Sequence, residues 1–202
     1  MFNNNENLRV ILASGSPRRK ELLSKLGIKF EIIVSDADET LNKNLSIEEQ
    51  AKQLACKKAK SIFENIKGNK IVIGADTMVF KEDIVYGKPK DREDAIKMLN
   101  DLQDSMHKVI TGLCVLVENN GEIKEYLDYD ISEVYVKSMS SEEIIDWIEI
   151  GKPYDKAGGY AIQQEFMKFV EKINGNYENI VGLPISKLYD ILKQILVQEW
   201  IY

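Results

Sequence analysis

The spacing of apolar and polar residues along the chain alternates between two periods, one typical of strands and one typical of amphipathic helices. Short apolar or alternating runs predict strands at residues 9–13, 29–34, 70–80, 108–118, 122–137 and 166–173. Capped amphipathic segments predict helices at residues 17–26, 46–66, 91–102, 140–151 and 184–198. Because strands and helices mix without a strict β-α-β order, the predicted fold class is α/β with a mixed sheet rather than a doubly wound one.

Local signals mark several ends of these elements. Ser16 followed by Pro17 is typical of an N-cap and of the first position of a helix. Residues 46–49 and 140–143 each have the Ser-x-x-Glu pattern of a capping box, which predicts a helix start. The Asn-Asn-Gly sequence at 119–121 predicts a hairpin turn between two long strands.

Composition restricts the class of protein. The 202 residues are 44% hydrophobic and 30% charged without repeats or linkers, so a single globular domain over residues 1–202 is expected. Lys and Arg total 27 against 33 Asp and Glu, and the net charge of −6 disfavours a nucleic-acid partner. No apolar run approaches ~18 residues and the first seven residues are largely polar, so neither a membrane span nor a signal peptide is expected.

The few cysteine and histidine residues exclude several kinds of site. Cys56 and Cys114 lie far apart without a CxxC spacing, so neither a cysteine zinc site nor a disulfide framework is expected. The single histidine, His107, excludes any site that needs two histidine ligands. A Ser-His-Asp triad is arithmetically possible, but no Gly-x-Ser-x-Gly elbow accompanies His107, so a structural role is expected for it.

Residues 12–20 carry the strongest local signal for an anion site. A strand there runs into a turn of small residues and a helix begins at once, which leaves backbone N–H groups available to an anion. Ser14 and Ser16 add hydroxyl groups, and Arg18 and Arg19 add guanidinium groups that match phosphate oxygens. Two arginines in a first turn oppose the helix dipole, so we interpret them as partners of a bound anion rather than as a surface turn.

Asp76 interrupts an otherwise apolar strand. A buried carboxylate is costly unless it is paired or bound to a metal, and Gly74 beside it would let a ligand or another backbone approach closely. Asp76 could therefore bind a hard cation, act as a general base or be a structural aspartate. The acidic stretch 36–39, which ends at Glu39, is either a Mg²⁺ ligand or a solvated loop.

Two further loops carry candidate chemistry. Lys88 between Gly87 and Pro89 is either a positioned charge or part of an ordinary turn. Residues 153–163 combine aromatic, glycine and charged residues and end at Gln163, whose amide could read the edge of a base. An anion site, basic side chains and separate carboxylates are what phosphoryl chemistry requires, although they do not name a substrate.

Seven short motifs occur along the chain in a fixed order: LASGSPRRKELL at 12–23, GADT at 74–77, GKP at 87–89, VITG at 109–112, DKAGGY at 155–160, ING at 173–175 and VGLP at 181–184. Together they resemble the Maf family of nucleoside triphosphate pyrophosphatases, also described as septum-formation proteins. The resemblance covers essentially the whole chain after residue 7.

This resemblance implies a hydrolase that cuts a nucleoside triphosphate between its α and β phosphates, with a divalent cation, Mg²⁺ or Mn²⁺. It implies an elongated mixed sheet flanked by helices, with a cleft between two lobes, akin to the inosine-triphosphate pyrophosphatases. It also implies a homodimer in the cytoplasm. The loop ending at Gln163 resembles the branch that acts on dTTP and UTP, although this chain has Gln164 where the family usually has glycine.

The resemblance also implies roles for individual residues at the matching positions. Asp76 looks like the proton acceptor that activates water, or like a metal ligand together with Glu39. The residues that resemble those facing the triphosphate are Ser14, Arg18, Arg19, Lys58 and Lys88. The residues that match positions associated with base selectivity are Arg18, Thr77 and Gln163.

Two other functions stay open. One is the same chemistry on 7-methyl-GTP, inosine triphosphate or another non-standard nucleotide. The other is a nucleotide-binding regulator of cell division without catalysis, which would release no pyrophosphate in any form.

Overall fold

The computed structural model describes residues 8–42 and 44–198 of the chain. Its strands are β1 Arg9–Leu12, β2 Glu31–Ile32, β3 Lys70–Lys81, β4 Ile84–Tyr86, β5 Ser105–Asn119, β6 Glu122–Val136 and β7 Val170–Asn174. Its α-helices are α1 Pro17–Ser24, α2 Ile47–Phe63, α3 Arg92–Leu102, α4 Ser141–Gly151, α5 Tyr177–Val181 and α6 Ile185–Gln198. Short 3₁₀ segments lie at Pro153–Asp155, Ala157–Gly159 and Glu165–Phe169.

The strands of the described residues form one seven-stranded sheet. Its order is β2-β1-β3-β5-β6-β7, and β4 pairs with β3 outside this path. Strand β1 is parallel to both β2 and β3, whereas β3 with β4 and β6 with β7 are antiparallel. The sheet is therefore mixed and accompanied by helices, and the predicted α/β class is confirmed.

The local end signals are observed in the structure. Ser16 Oγ accepts a hydrogen bond from the Arg19 backbone N–H at 3.4 Å. Ser140 and Glu143 form both halves of a capping box at the start of α4. Asn120 and Gly121 have φ values of 50° and 85°, as a tight turn between β5 and β6 requires.

Two predicted strands are wrong in extent. The first, at 29–34, shrinks to the two residues of β2, which lies at the edge of the sheet and pairs only with β1. The second, at 166–173, begins instead with a 3₁₀ segment, and only Val170–Asn174 is extended. Phe166 and Phe169 are both buried at a spacing of three, which matches the period of a 3₁₀ turn and not that of a strand.

The chain divides into two compact units. The first comprises the described residues of Met1–Asp76, Thr111–Asp130 and Gly182–Tyr202, and the second comprises Thr77–Ile110 and Ile131–Val181. No helix within 8–42 and 44–198 combines the length and the apolar character needed to cross a membrane.

In the first unit, helix α2 lies directly against strands β3 and β5. A methyl group at Gly112 of β5 would lie 2.1 Å from the carbonyl oxygen of Ala51, and one at Gly74 of β3 would lie 2.3 Å from that of Ala55. Both distances are far shorter than any real Cβ contact, so only glycine fits at these positions. The helix presents Ala51, Ala55 and Ala59, all fully buried, to this surface.

In the second unit, α3, α4 and the 3₁₀ segments enclose an apolar core rich in aromatic side chains. Its buried members include Val79, Leu99, Leu102, Trp147, Ile148, Tyr160, Phe166 and Phe169. The rings of Tyr160 and Phe166 lie 4.7 Å apart, and those of Phe166 and Phe169 lie 5.6 Å apart. This core fixes the course of the chain on either side of Gln163.

We expect Gly112→Ala to lower the free energy of unfolding by about 1–3 kcal/mol, because the added methyl group would overpack a contact between two backbones. Urea denaturation measures the change. Gly87→Ala is the matched control, since nothing lies within 4 Å of a methyl group there, and its effect should stay within about 0.5 kcal/mol. Equal stability of the two variants would contradict the close approach of α2 to β5.

Candidate active site

The turn between β1 and α1 is closed by its own side chains. Ser14 Oγ accepts hydrogen bonds from the Ser16 backbone N–H and from Arg19 Nη1, both at 3.2 Å. Arg19 Nε donates to the carbonyl oxygen of Gly182 at 2.8 Å. Arg19 therefore ties the turn to the segment that precedes α6, and its guanidinium group has a defined orientation.

The electrostatic surroundings of Arg19 are mixed. Burial is the largest influence on its pKa and lowers it from the usual value, because desolvation disfavours the charged form. The carboxylates of Asp76 and Glu39 act in the opposite direction, and the neighbouring charge of Arg18 adds to the lowering. The charged groups of Arg18, Arg19, Asp76 and Glu39 therefore lie near one another around this turn.

Lys58 joins the two carboxylates. Its Nζ donates to Asp76 Oδ1 in a short ion pair and lies 2.7 Å from Glu39 Oε1. The side chains of Lys58 and Asp76 are 12% and 11% exposed, whereas that of Glu39 is 54% exposed. The pairing explains how an aspartate can occupy an apolar strand, since a buried carboxylate needs a partner.

The close contact at Gly74 is what places Lys58. A methyl group at Gly74 would also lie 2.9 Å from the backbone nitrogen of Ala59, so the helix backbone runs directly over this part of β3. Lys58 precedes Ala59 on α2, and Asp76 follows Gly74 by two residues on β3. Of the two partners expected for Gly74, a ligand or another backbone, the structure therefore shows the backbone.

Asp76 and Glu39 supply only some of the oxygen ligands that a hard cation needs. Among residues 8–42 and 44–198, no group of three or more His, Cys, Asp or Glu side chains could hold a metal ion. The carboxylates of Asp76 and Glu39 both form an ion pair with Lys58 Nζ. Mg²⁺ is commonly held by one or two carboxylates together with substrate phosphates, so this donor set fits a cation that arrives with a phosphorylated ligand.

Three predicted site residues belong to the second unit. Thr77 is half-buried and follows Asp76 directly on β3. Lys88 is exposed in the loop between β4 and α3, where the carbonyl oxygen of Gly87 accepts a hydrogen bond from Gly158 N at 3.0 Å. Gln163 is exposed on the loop between two 3₁₀ segments. Their functional roles stay predictions.

The loop that carries Gln163 is held from two sides. Tyr160 OH and His107 Nε2 are hydrogen-bonded at 2.6 Å, and Trp147 Nε1 donates to the carbonyl oxygen of Gly159 at 2.9 Å. His107 is buried, and burial followed by the charge of Lys81 lowers its pKa to about 4. The ring is therefore neutral at pH 7, in keeping with the structural role expected of it.

Sequence reasoning missed one participant in the site. The Gly182 carbonyl group that binds Arg19 belongs to the VGLP motif at 181–184, but a backbone acceptor has no signature of its own. The available signal was the glycine itself, which has φ of 121°, a conformation that side chains rarely allow.

The family model described as Maf-like protein matches residues 9–195 of this chain. The chain therefore belongs to the Maf family, and the resemblance drawn from the seven motifs is confirmed.

Several relatives named dTTP/UTP pyrophosphatase match nearly the whole chain. The dTTP/UTP pyrophosphatase of Thermoanaerobacter sp. (strain X514) is 46% identical over 187 residues, covering 93% of this chain and 96% of the relative. The dTTP/UTP pyrophosphatase of Alkaliphilus oremlandii is 47% identical over 185 residues, covering 92% and 95%. That of Desulforamulus reducens is 43% identical over 189 residues, covering 94% and 97%.

One solved structure is similar at a much lower level. It is a nucleoside-triphosphatase / dITP/XTP pyrophosphatase from Mycobacterium abscessus, with a TM-score of 0.38 and 13% identity. The match covers 63% of this chain and 74% of that chain. A similarity this slight supports no conclusion about this chain.

We expect the pKa of His107 to make stability depend on pH below neutrality. An unfolded histidine has a pKa of about 6.5, whereas the native value is about 4. The unfolded chain therefore binds more protons between these values, and stability that is fully present above pH 6.5 falls as the pH falls towards 4. Linkage gives a loss of about 2 kcal/mol at pH 5.

His107 is the only histidine, so its ring gives a single imidazole NMR signal that can be titrated directly. In the native protein the signal should show that at most about a tenth of the rings are protonated at pH 5. Urea denaturation of His107→Gln should show a smaller loss of stability over this range than the unmodified protein. A native midpoint near pH 6.5 would contradict the buried, neutral ring.

Proposed function

We propose that this protein is a nucleoside triphosphate pyrophosphatase that hydrolyses dTTP and UTP to the nucleoside monophosphate and pyrophosphate. The observation that carries the proposal is the buried pairing of Lys58 with Asp76, beside Glu39 and the Ser14–Arg19 turn. Membership of the Maf family and relatives named dTTP/UTP pyrophosphatase over more than 90% of the chain support it.

The basic side chains would hold the triphosphate. At the start of α1, Ser14, Arg18 and Arg19 would offer a hydroxyl and two guanidinium groups. Lys58 and Lys88 would add point charges. Fixed positive groups of this kind stabilise the charge that develops during phosphoryl transfer, which supplies most of the catalysis in such reactions.

Asp76 is the group that would activate water. Its carboxylate would accept the proton of the water that attacks the α-phosphorus, and pyrophosphate would leave. Lys58 holds this carboxylate in place through their ion pair in the absence of substrate. When a triphosphate binds, Lys58 would be shared between Asp76 and the phosphate oxygens.

We propose Asp76 and Glu39 as the residues that would hold a divalent cation, Mg²⁺ or Mn²⁺. Such a cation neutralises phosphate charge and stabilises the leaving pyrophosphate. Asp76 would then act as a ligand, and as the base through its remaining lone pairs. The convergence of both carboxylates on one point supports this assignment.

Arg18, Thr77 and Gln163 would select the base. The Gln163 amide carries both a donor and an acceptor, which match the adjacent carbonyl and N–H groups of uracil and thymine. The hydrogen bonds of Tyr160 and Gly159 would position the chain that leads to this amide. We further propose, from the family resemblance alone, that the protein is a cytoplasmic homodimer.

The reaction and the preferred nucleobase can be tested together. With Mg²⁺, pyrophosphate release should be fastest from dTTP and UTP in a panel that also contains CTP, 7-methyl-GTP and inosine triphosphate. Asp76→Asn should reduce release by a factor of about 10²–10⁴, because the general base is lost. Enzyme-coupled detection of pyrophosphate, with the nucleoside monophosphate identified by chromatography, measures both products.

Asp83→Asn is the matched control, since Asp83 is an exposed aspartate beside β4 and the substitution removes the same charge. Its activity should equal that of the unmodified protein. A preference for 7-methyl-GTP would retain the chemistry and overturn the role of Gln163. Nucleotide binding without pyrophosphate release in any form would support the regulator instead.

The requirement for a divalent cation can be tested separately. Chelation with EDTA should abolish pyrophosphate release, and Mg²⁺ or Mn²⁺ should restore it. Glu39→Gln should raise the Mn²⁺ concentration needed for half-maximal activity by roughly 10-fold or more, because one anionic oxygen ligand is lost. Electron paramagnetic resonance of Mn²⁺ with nucleotide should show the same weakening, whereas full activity in EDTA would exclude the metal.

A further inference from the structure

The two cysteines, far apart along the chain, meet in the first unit. Cys56 lies on α2 and Cys114 on β5, and both are reduced. Cys114 is fully buried in an apolar cluster with Ala55 and Ala59, and half-buried Cys56 packs against that cluster. The two thiols lie close enough for each to shift the pKa of the other.

The close contact between Gly112 of β5 and Ala51 of α2 also places Cys56 and Cys114 in the same region. Gly112 lies two residues before Cys114, and the backbone of Ala51 lies against it. Cys56 lies five residues beyond Ala51 on α2 and packs against the apolar cluster that contains Cys114. The absence of a CxxC spacing in the sequence therefore says nothing about the distance between these sulfur atoms.

The surroundings of the two thiols differ. Cys56 Sγ donates to Glu125 Oε2 at 3.6 Å, and Glu125 also binds Lys60 Nζ at 2.9 Å. The hydrogen bond from Cys114, assisted by Lys60, lowers the pKa of Cys56 to about 7. The hydrogen bond to Cys56 and burial raise the pKa of Cys114. Cys56 is thus the accessible nucleophile and Cys114 the protected second thiol.

We propose that Cys56 and Cys114 form an oxidation site at which a hydroperoxide converts the thiol pair into a disulfide between α2 and β5. The neighbouring sulfur atoms, the half-exposed position of Cys56 and the buried position of Cys114 carry this proposal. A second thiol in contact favours disulfide formation over further oxidation of the first.

The reaction balances in two steps. The Cys56 thiolate attacks one oxygen of the hydroperoxide, so an S–O bond forms, the O–O bond breaks and an alcohol or water leaves. The Cys114 sulfur then attacks the Cys56 sulfur, so the S–S bond forms, the S–O bond breaks and hydroxide leaves with the Cys114 proton as water. Two thiols lose two electrons in total, and the hydroperoxide gains them.

The disulfide has a consequence for the site, and this part of the inference rests on the proposed function. Gly112 and Ala51 already touch, so α2 cannot simply move closer to β5 as the sulfur atoms shorten to a bond length. Disulfide formation would instead reorient the two cysteine side chains and rotate or slide the helix. Lys58 is two residues from Cys56 on the same helix, so its contacts with Asp76 and Glu39 would change.

The experiment exposes the reduced full-length protein to hydrogen peroxide and then alkylates it under denaturing conditions with N-ethylmaleimide. Before oxidation both cysteines should be alkylated. After oxidation neither should be, the unalkylated mass should fall by about 2 Da, and peptide mapping should find one peptide pair linked through Cys56 and Cys114. Dithiothreitol should reverse the change.

Two variants separate the roles of the thiols. Cys114→Ala should leave Cys56 able to form a sulfenic acid, which dimedone traps. Cys56→Ser should leave Cys114 fully alkylated after the same treatment. Unreactive cysteines in the unmodified protein, a disulfide between two chains, or sulfinic acid without a disulfide would each overturn the proposal.

Pyrophosphate release by the oxidised protein is measured separately from the state of its thiols. Pyrophosphate release by the oxidised protein should be roughly 10-fold lower or more, because small displacements of catalytic groups are costly. It should recover with dithiothreitol and stay unchanged in peroxide-treated Cys56→Ser. Unchanged activity in a fully oxidised protein would overturn the link to Lys58. No activity in the reduced protein would refute the proposed function and leave the oxidation site standing.

Discussion

The contact of helix α2 with strands β3 and β5 is the constraint on which the rest of the first unit depends. Backbone meets backbone at Gly74 and Gly112, where any side chain would collide with a carbonyl oxygen. Such close packing leaves the helix a single position on the sheet. Both the Lys58–Asp76 pair and the meeting of the two cysteines follow from it.

The charges around this contact balance one another. Asp76 is tolerated in an apolar strand because Lys58 neutralises it, and Arg19 is tolerated near that pair because Asp76 and Glu39 oppose its desolvation. The cations and carboxylates of this region therefore stabilise one another in the absence of a ligand.

Local physics made much of the fold predictable. The caps at Ser16 and Ser140 and the Asn-Gly hairpin depend on neighbours within four residues, and each appears as expected. Predictions were wrong where burial is set by distant elements. The 3₁₀ turn at Phe166 follows from its place in the aromatic core with Trp147 and Tyr160, which no local pattern contains.

The amino-acid sequence by itself determined the α/β class, most element ends, the family through its ordered motifs, and the residue types of the candidate site. Only the tertiary structure decided that Lys58 pairs with Asp76 and Glu39 and that Gly74 meets a helix backbone. It also decided that Cys56 packs against the cluster that contains Cys114. Turns and caps are made by neighbours in sequence. These pairings join residues far apart in the chain, and only the packing of one element on another brings them into contact.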